Sequence, residues 1–400
     1  MLPPGVDAVV YRKAAAWLEP RLEEYIEEII AVCQIPAPTF AEARRGRWVA
    51  QRFLQEGLED VHMDQVGNVL GRLGPDRPRA PALVVSAHLD TVFPAHVDVT
   101  VRRRANRLWA PGVSDNSASV AALIMLAKAL QAAGFTAEAP IWFVGNVCEE
   151  GLGDLRGMKH LLGPGLAGRQ QVGACLVLDG SLGLICHQAI GSRRLEVTFR
   201  GPGGHSWGDY GNPSAIHVMA HAAAALDRLP LPQKPRTTLN IGLVEGGTAV
   251  NVIAHEASFV IDLRSEDAAE LVRLERQVRA LCIREAQGRG VRVAVKVVGD
   301  RPTGALAGDH PLVQAARAAA AACRIPAYHR ASSTDANVPL AKGIPALCIG
   351  IKRGRGAHTL DEYLDIDSLM PGLIFGLLAC LAAHAWVARL PVPSPGEEAG

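Results

Sequence analysis

The sequence predicts an α/β fold: a mostly parallel, mixed sheet flanked by helices, with an inserted α+β segment built from an antiparallel sheet and two helices. Three observations predict it. Short continuous apolar runs at Ala82–Ala87, Pro140–Val147 and Ala174–Leu178 read as strands covered on both faces. Helical stretches such as Ala118–Ala133 separate these runs, the order expected of parallel crossovers. After about Ile185 the pattern changes: Leu195, Val197 and Phe199 alternate with Arg194, Glu196 and Thr198, the period of a half-exposed strand.

In chain order, apolar residues at helical spacing predict one helix over Tyr11–Ala31, closed by Ile35-Pro36, and a second over Ala41–Glu56, ended by Gly57. The helix Ala118–Ala133 stops at Gly134. The inserted segment reads as strand, helix, strand, strand, helix, strand: Arg194–Phe199, Pro213–Leu229, Thr238–Val244, Ala257–Leu263, Ala268–Gln287 and Val291–Val298. The α/β pattern then resumes with a helix over Pro311–Cys323, a strand over Ala346–Ile351 and a last helix over Met370–Ala388. The predicted organisation is therefore a main domain in two parts, residues 1–189 and 301–400, around an insertion at 190–300, with a loose polar tail after about residue 391.

A chain of 400 residues exceeds one ordinary compact core, which agrees with two domains. Lys and Arg number 41 against 40 Asp and Glu, so no basic excess points to nucleic acid or to an anionic membrane. The eight cysteines include no C-x-x-C pair and mostly sit in apolar runs, so they read as reduced thiols of a cytoplasmic protein. Charges at Asp7, Arg12, Lys13, Glu19 and Arg21 interrupt the first residues, so no signal peptide is expected. Met370–Ala388 is long enough to cross a membrane, but its Ala and Gly content, His384 and Pro371 favour a buried helix.

Chemistry concentrates just after the apolar strands. His88 and Asp90 follow the first one; in extended backbone they share a face, and a carboxylate beside an imidazole fixes its tautomer. Asp115 precedes the helix at Ala118, where it fits a helix cap as well as a ligand. Glu149 and Glu150 follow the strand ending near Val147, in a solvated turn or bound to cations. Asp179 ends a third strand, and His358 lies in a Gly-rich loop after the last. Open α/β sheets place their sites at the carboxyl ends of strands, and two His with several carboxylates and no Cys suit paired Zn²⁺ or similar ions.

In the order His88-x-Asp90, Asp115, Glu149-Glu150, Asp179 and His358, the chain resembles the dinuclear zinc exopeptidases and amidohydrolases, which include peptidase T, carnosinase, acetylornithine deacetylase and aminoacylase. Ser333-Thr334-Asp335-Ala336-Asn337 and Ala357-His358-Thr359-Leu360-Asp361-Glu362 look most like the peptidase T-like branch. The resemblance implies two divalent ions per subunit, Zn²⁺ with Mn²⁺ or Co²⁺ as alternatives. It implies Asp115 as the bridge, His88 and Asp179 in one site, and Glu150 and His358 in the other. Asp90 is then the partner orienting His88, and Glu149 the general base. Asn116 stands where many members carry a second Asp, a position that is not a ligand.

The resemblance also implies that the insertion is a lid and dimerisation domain of a homodimer. Its Gly203-Gly204-His205-Ser206 run places His205 on the substrate oxyanion, from the other subunit; Arg264 and Asn251 would hold a substrate carboxylate. Taken alone, His205 also fits a turn between glycines, and Arg264 a surface ion pair. The leading activity is an exopeptidase of short peptides, an aminopeptidase or di/tripeptidase. The rivals are removal of an acyl or carbamoyl group from an amino acid at the same metals, and non-catalytic metal or peptide binding.

Overall fold

The computed structural model describes residues 1–392, so the tail expected after about residue 391 lies almost wholly outside the described residues. The chain divides into two compact units, Met1–Ala189 with Ala305–Gly400, and Ile190–Gly304.

The first unit is built on a seven-stranded sheet in the order 59–63, 69–73, 141–146, 82–88, 172–178, 346–349, 185–186. The four strands Ile141–Asn146, Ala82–His88, Val172–Leu178 and Ala346–Ile349 are mutually parallel; the flanking ones pair antiparallel. Alternate residues explain the unbroken apolar runs. Leu83, Val85 and Ala87 enter one core with Phe143 and Leu176, while Ala82 and Val84 enter a second with Trp142, Val144 and Val177. A strand buried on both faces needs no polar alternation. The helices Ala118–Ala132 and Leu369–Val387 belong to the first of these cores. These two helical segments are long and apolar enough to cross a membrane, yet 89% and 78% of their apolar windows are buried in this fold.

One expectation needs correction, and two further elements went unpredicted. The helix over Tyr11–Ala31 is two helices, Ala8–Leu18 and Leu22–Cys33. Pro20 separates them, because it lacks an N–H and crowds the preceding turn. The antiparallel pair Glu59–Met63 and Val69–Leu73 was not expected, since Glu59 and Asp60 are exposed and give no apolar run. The small sheet of 354–355, 363–365, 107–109 and 102–104 was also hidden in short polar stretches.

The second unit has four antiparallel strands in the order 237–246, 256–265, 191–200, 292–301. The helices Ala215–Asp227 and Ala268–Ala286 pack with Leu195, Val197, Phe199, Phe259 and Ile261 in its core.

His384 gives the first unit an acid-sensitive point. It is 5% exposed, and its Nε2 faces the Ala139 backbone at 3.1 Å from the carbonyl and 3.3 Å from the N–H. Burial lowers its pKa. A lowered histidine pKa stabilises the fold above the unfolded value of about 6.5, and that contribution is lost as pH falls. In chelator, the wild-type Tm is therefore expected to fall more steeply than that of His384→Gln between pH 7.5 and 5. Parallel curves would show that His384 does not set this acid response.

Candidate active site

Parallel register brings the predicted residues of the first unit together. His88 is the last residue of its strand and pairs with Asn146, the last of its neighbour, from which the chain runs on to Glu149 and Glu150. Asp179 follows the strand ending at Leu178, and the segment carrying His358 follows the strand ending at Ile349. All lie at the carboxyl ends of the parallel strands.

Asp115 is the centre. Its Oδ1 lies 3.1 Å from His88 Nε2, and its Oδ2 lies 3.2 Å from His358 Nε2. One carboxylate thus presents a separate oxygen to each imidazole. His358 Nε2 is also 3.0 Å from Glu150 Oε1. Donor atoms of His88, Asp115 and Asp179 lie within 4.8 Å of one another, as do those of Asp115, Glu150 and His358, and those of His88, Glu149 and Glu150. The helix-cap alternative for Asp115 is not what forms: the cap residue of the following helix is Ser117, and it has no side-chain cap bond.

The charge distribution asks for cations. Burial opposes protonation of His88, yet the neighbouring carboxylates of Asp115 and Asp90 raise its pKa well above the ordinary value. Asp115 and then Glu150 push His358 up to about 10. Burial works against ionisation of Asp115 too, but His358 and His88 hold its carboxyl far below the usual range. Carboxylates that tighten imidazole protons this strongly suit divalent cations, and the oxygen and nitrogen donors match hard or borderline ions.

Supporting contacts hold the loops. His88 Nδ1 donates to the Asp90 carbonyl at 3.0 Å, which fixes the ring so that Nε2 is the nitrogen facing Asp115 and the one available to ligate a cation. The Asp90 carboxylate lies farther from the ring, 3.6 Å from Nδ1. Its oxygens instead accept the backbone N–H groups of Glu149 and Glu150, each at 2.9 Å, and the Thr39 hydroxyl at 3.0 Å. Asp90 therefore orients the Glu149-Glu150 backbone as well as neighbouring His88.

Two residues outside the predicted set complete the frame. Glu362, fully buried, accepts N–H bonds from Gly112, Ser114 and Asp115 at 2.7, 2.8 and 2.8 Å. Burial pushes its pKa up to about 7 against these bonds. It ties the His358 loop to the Asp115 loop, and its place four residues after His358 was the available sequence signal. The two loops meet so closely that a Cβ on Gly354 would overlap Ser114 Oγ. Lys352, 2% exposed, reaches Asn116 Oδ1 at 2.6 Å and Ser119 Oγ at 2.8 Å; nothing local in the sequence marks it.

The predicted substrate residues belong to the second unit. His205 and Asn251 are brought together: the Ser206 N–H donates to the Asn251 carbonyl at 3.0 Å, and His205 pairs with Val252 across a short ribbon. The exposed His205 accepts the N–H groups of Trp207 and Gly208 at Nδ1, both at 3.2 Å, so its proton sits on Nε2. Arg264 lies apart on the strand Glu256–Ser265 and pairs with Asp262 at 2.7 Å.

A family description covers this arrangement: residues 84–380 match the peptidase family M20/M25/M40. The chain belongs to that family. It is a peptidase or amidohydrolase, in agreement with the resemblance read from its motifs. Among its relatives, YqjE of Bacillus subtilis (strain 168) is 25% identical over 363 residues, covering 86% of this chain and 94% of that protein. Acetylornithine deacetylase of Myxococcus xanthus is 28% identical over 380 residues, covering 88% and 94%. The crystal structure of aminopeptidase PepT from Bacillus cereus ATCC 10987 shares the fold, with a TM-score of 0.73 at 23% identity over 90% of this chain and 98% of that one.

Proposed function

We propose that this M20-family chain is an exopeptidase of short peptides, an aminopeptidase or di/tripeptidase, working with two divalent cations. His88, Asp115 and Asp179 would hold one, and Asp115, Glu150 and His358 the other. The observation that carries the reading is the divided Asp115 carboxylate, one oxygen toward each imidazole. Zn²⁺ suits these donors, with Mn²⁺ or Co²⁺ as alternatives. Bound cations would supply Lewis acidity, polarising a carbonyl and easing deprotonation of water near neutral pH.

The chain's own groups do the rest. Glu149 takes the proton of the attacking water and returns it to the leaving nitrogen. Asp90 holds Glu149 and Glu150 in place through their backbone N–H groups. By the family resemblance, the partner subunit's His205 would donate from Nε2 to the developing oxyanion, and Asn251 and Arg264 of the inserted unit would hold the substrate carboxylate.

A homodimer through the inserted unit completes the reading. Its strand Thr237–Gly246 is a sheet edge that exposes Leu243 and Val244, an arrangement suited to a second copy. Eight free thiols, seven of them buried, fit the reducing cytoplasm.

One observation favours a second activity, removal of an acyl group from an amino acid: the relative named acetylornithine deacetylase aligns over nearly the full length. The test is a panel of free-amine di- and tripeptides against N-acyl amino acids, with added Zn²⁺, Mn²⁺ or Co²⁺ and sedimentation to establish the assembly. We expect turnover of the peptides, its loss with chelator, and its return with cation. Turnover of N-acyl amino acids alone would move the assignment to deacylation. Full cation loading with no turnover of either class would leave only a binding role.

A further inference from the structure

We propose that Lys352 is a built-in counter-cation that competes with a divalent ion for Asp179, making the His88–Asp115–Asp179 half of the centre the weaker one, so that the two halves fill in a set order. The inference rests on the two-cation reading above and adds what this chain's own lysine does to it.

The argument starts from burial. An ammonium taken out of water needs acceptors for its three N–H groups and a counter-charge. Lys352, 2% exposed, finds Asn116 Oδ1 at 2.6 Å, Ser119 Oγ at 2.8 Å and Asp179 Oδ1 at 3.5 Å. The Asn116 amide is fixed in this role, because its Nδ2 donates to the Leu178 carbonyl at 3.0 Å and so leaves Oδ1 for the lysine. The ammonium therefore has two neutral partners and one charged one. That charged partner is a predicted cation ligand.

Counting charge separates the halves. Both share Asp115. One adds Glu150 and the other Asp179, so each offers an incoming ion two carboxylates and an imidazole. Only the Asp179 half has a fixed positive charge against its own carboxylate. A unit charge a few Å from a bound ion, even in a well-screened protein interior, changes affinity by about tenfold or more. In the cation-free protein the same lysine offsets repulsion between Asp115 and Asp179. The two effects are linked: whatever Lys352 contributes to the empty site must be given up when an ion takes its place.

A purely structural lysine gives the opposite sign, since its removal would misplace Asp179 and weaken binding. The experiment is calorimetric titration of the chelator-stripped full chain with Mn²⁺, for wild type, Lys352→Met, Lys352→Gln and Lys352→Arg, with thermal melts in chelator and in saturating Mn²⁺. Gln retains a donor for Asn116 and Ser119, and covers the case in which Met does not fold. Asp179→Asn and His358→Ala assign the two binding events to their halves.

Wild type is expected to show a tighter event lost in His358→Ala and a weaker one lost in Asp179→Asn. Removing the charge should tighten the weaker event by about tenfold and change the other by clearly less, since Lys352 reaches that half only through the shared Asp115. It should also widen the gap in Tm between loaded and stripped protein, while Arg keeps the wild-type pattern. Weaker or unchanged Mn²⁺ binding in the neutral variants overturns the role of Lys352 while leaving the two-cation centre standing. Wild type that binds no Mn²⁺, or a single ion, overturns the two-cation reading itself.

Discussion

Glu149→Gln is expected to lower kcat on a cleavable peptide by about a thousandfold while the cation content stays unchanged. Glutamine keeps the size and backbone position of the glutamate but cannot take a proton. Glu149 is 6% exposed, and its backbone N–H is held by Asp90 at 2.9 Å, so the amide should occupy the same place. The measurement pairs steady-state kinetics with elemental analysis of the purified variant. Glu149 also lies within ligand distance of His88 and Glu150, which makes the metal readout decisive. Loss of cation in Glu149→Gln or Glu149→Ala would make it a ligand instead of a base.

Asp115→Ala is expected to have the widest effect of any single change, removing both cations and with them all measurable turnover. Asp115 belongs to both donor groups, whereas Asp179 and Glu150 each belong to one of those two. Asp179→Asn should therefore leave one ion bound per chain, and Asp115→Ala none. Retention of a full complement of cations by Asp115→Ala would remove the bridging role. A melt in chelator separates this outcome from misfolding, since a chain that has lost only its ligands melts cooperatively without added metal.

These expectations draw on residues whose legibility differed for physical reasons. The strands ending at His88, Asn146 and Leu178 could be read because a strand covered on both faces must be apolar throughout. A site at the carboxyl ends of parallel strands then follows from chain direction alone, which is why His88, Asp115, Glu150, Asp179 and His358 could be named together. The family resemblance supplied their division into two groups; spacing in the chain carries no such information. Glu362 and Lys352 stayed hidden because their partners are about 240 residues away in sequence and became neighbours only through the fold. Pro20 was visible, but the strong helical periodicity on both sides of it masked a break of only three residues, Glu19–Arg21. Asp90 was foreseen beside His88, while the backbone N–H groups it accepts belong to a different strand end and have no signature in its own segment.

The Asp90 clamp has a consequence for how this centre tolerates change. Because one carboxylate accepts from two successive peptide groups, the proposed base and the proposed ligand beside it are anchored to a single side chain. The spacing of their backbones is then set by one stiff peptide unit rather than by packing between separate segments. Shortening either glutamate by one methylene would leave a gap that the neighbouring backbone cannot close, so variation among working enzymes of this design should fall on the walls of the cleft and spare the pair itself.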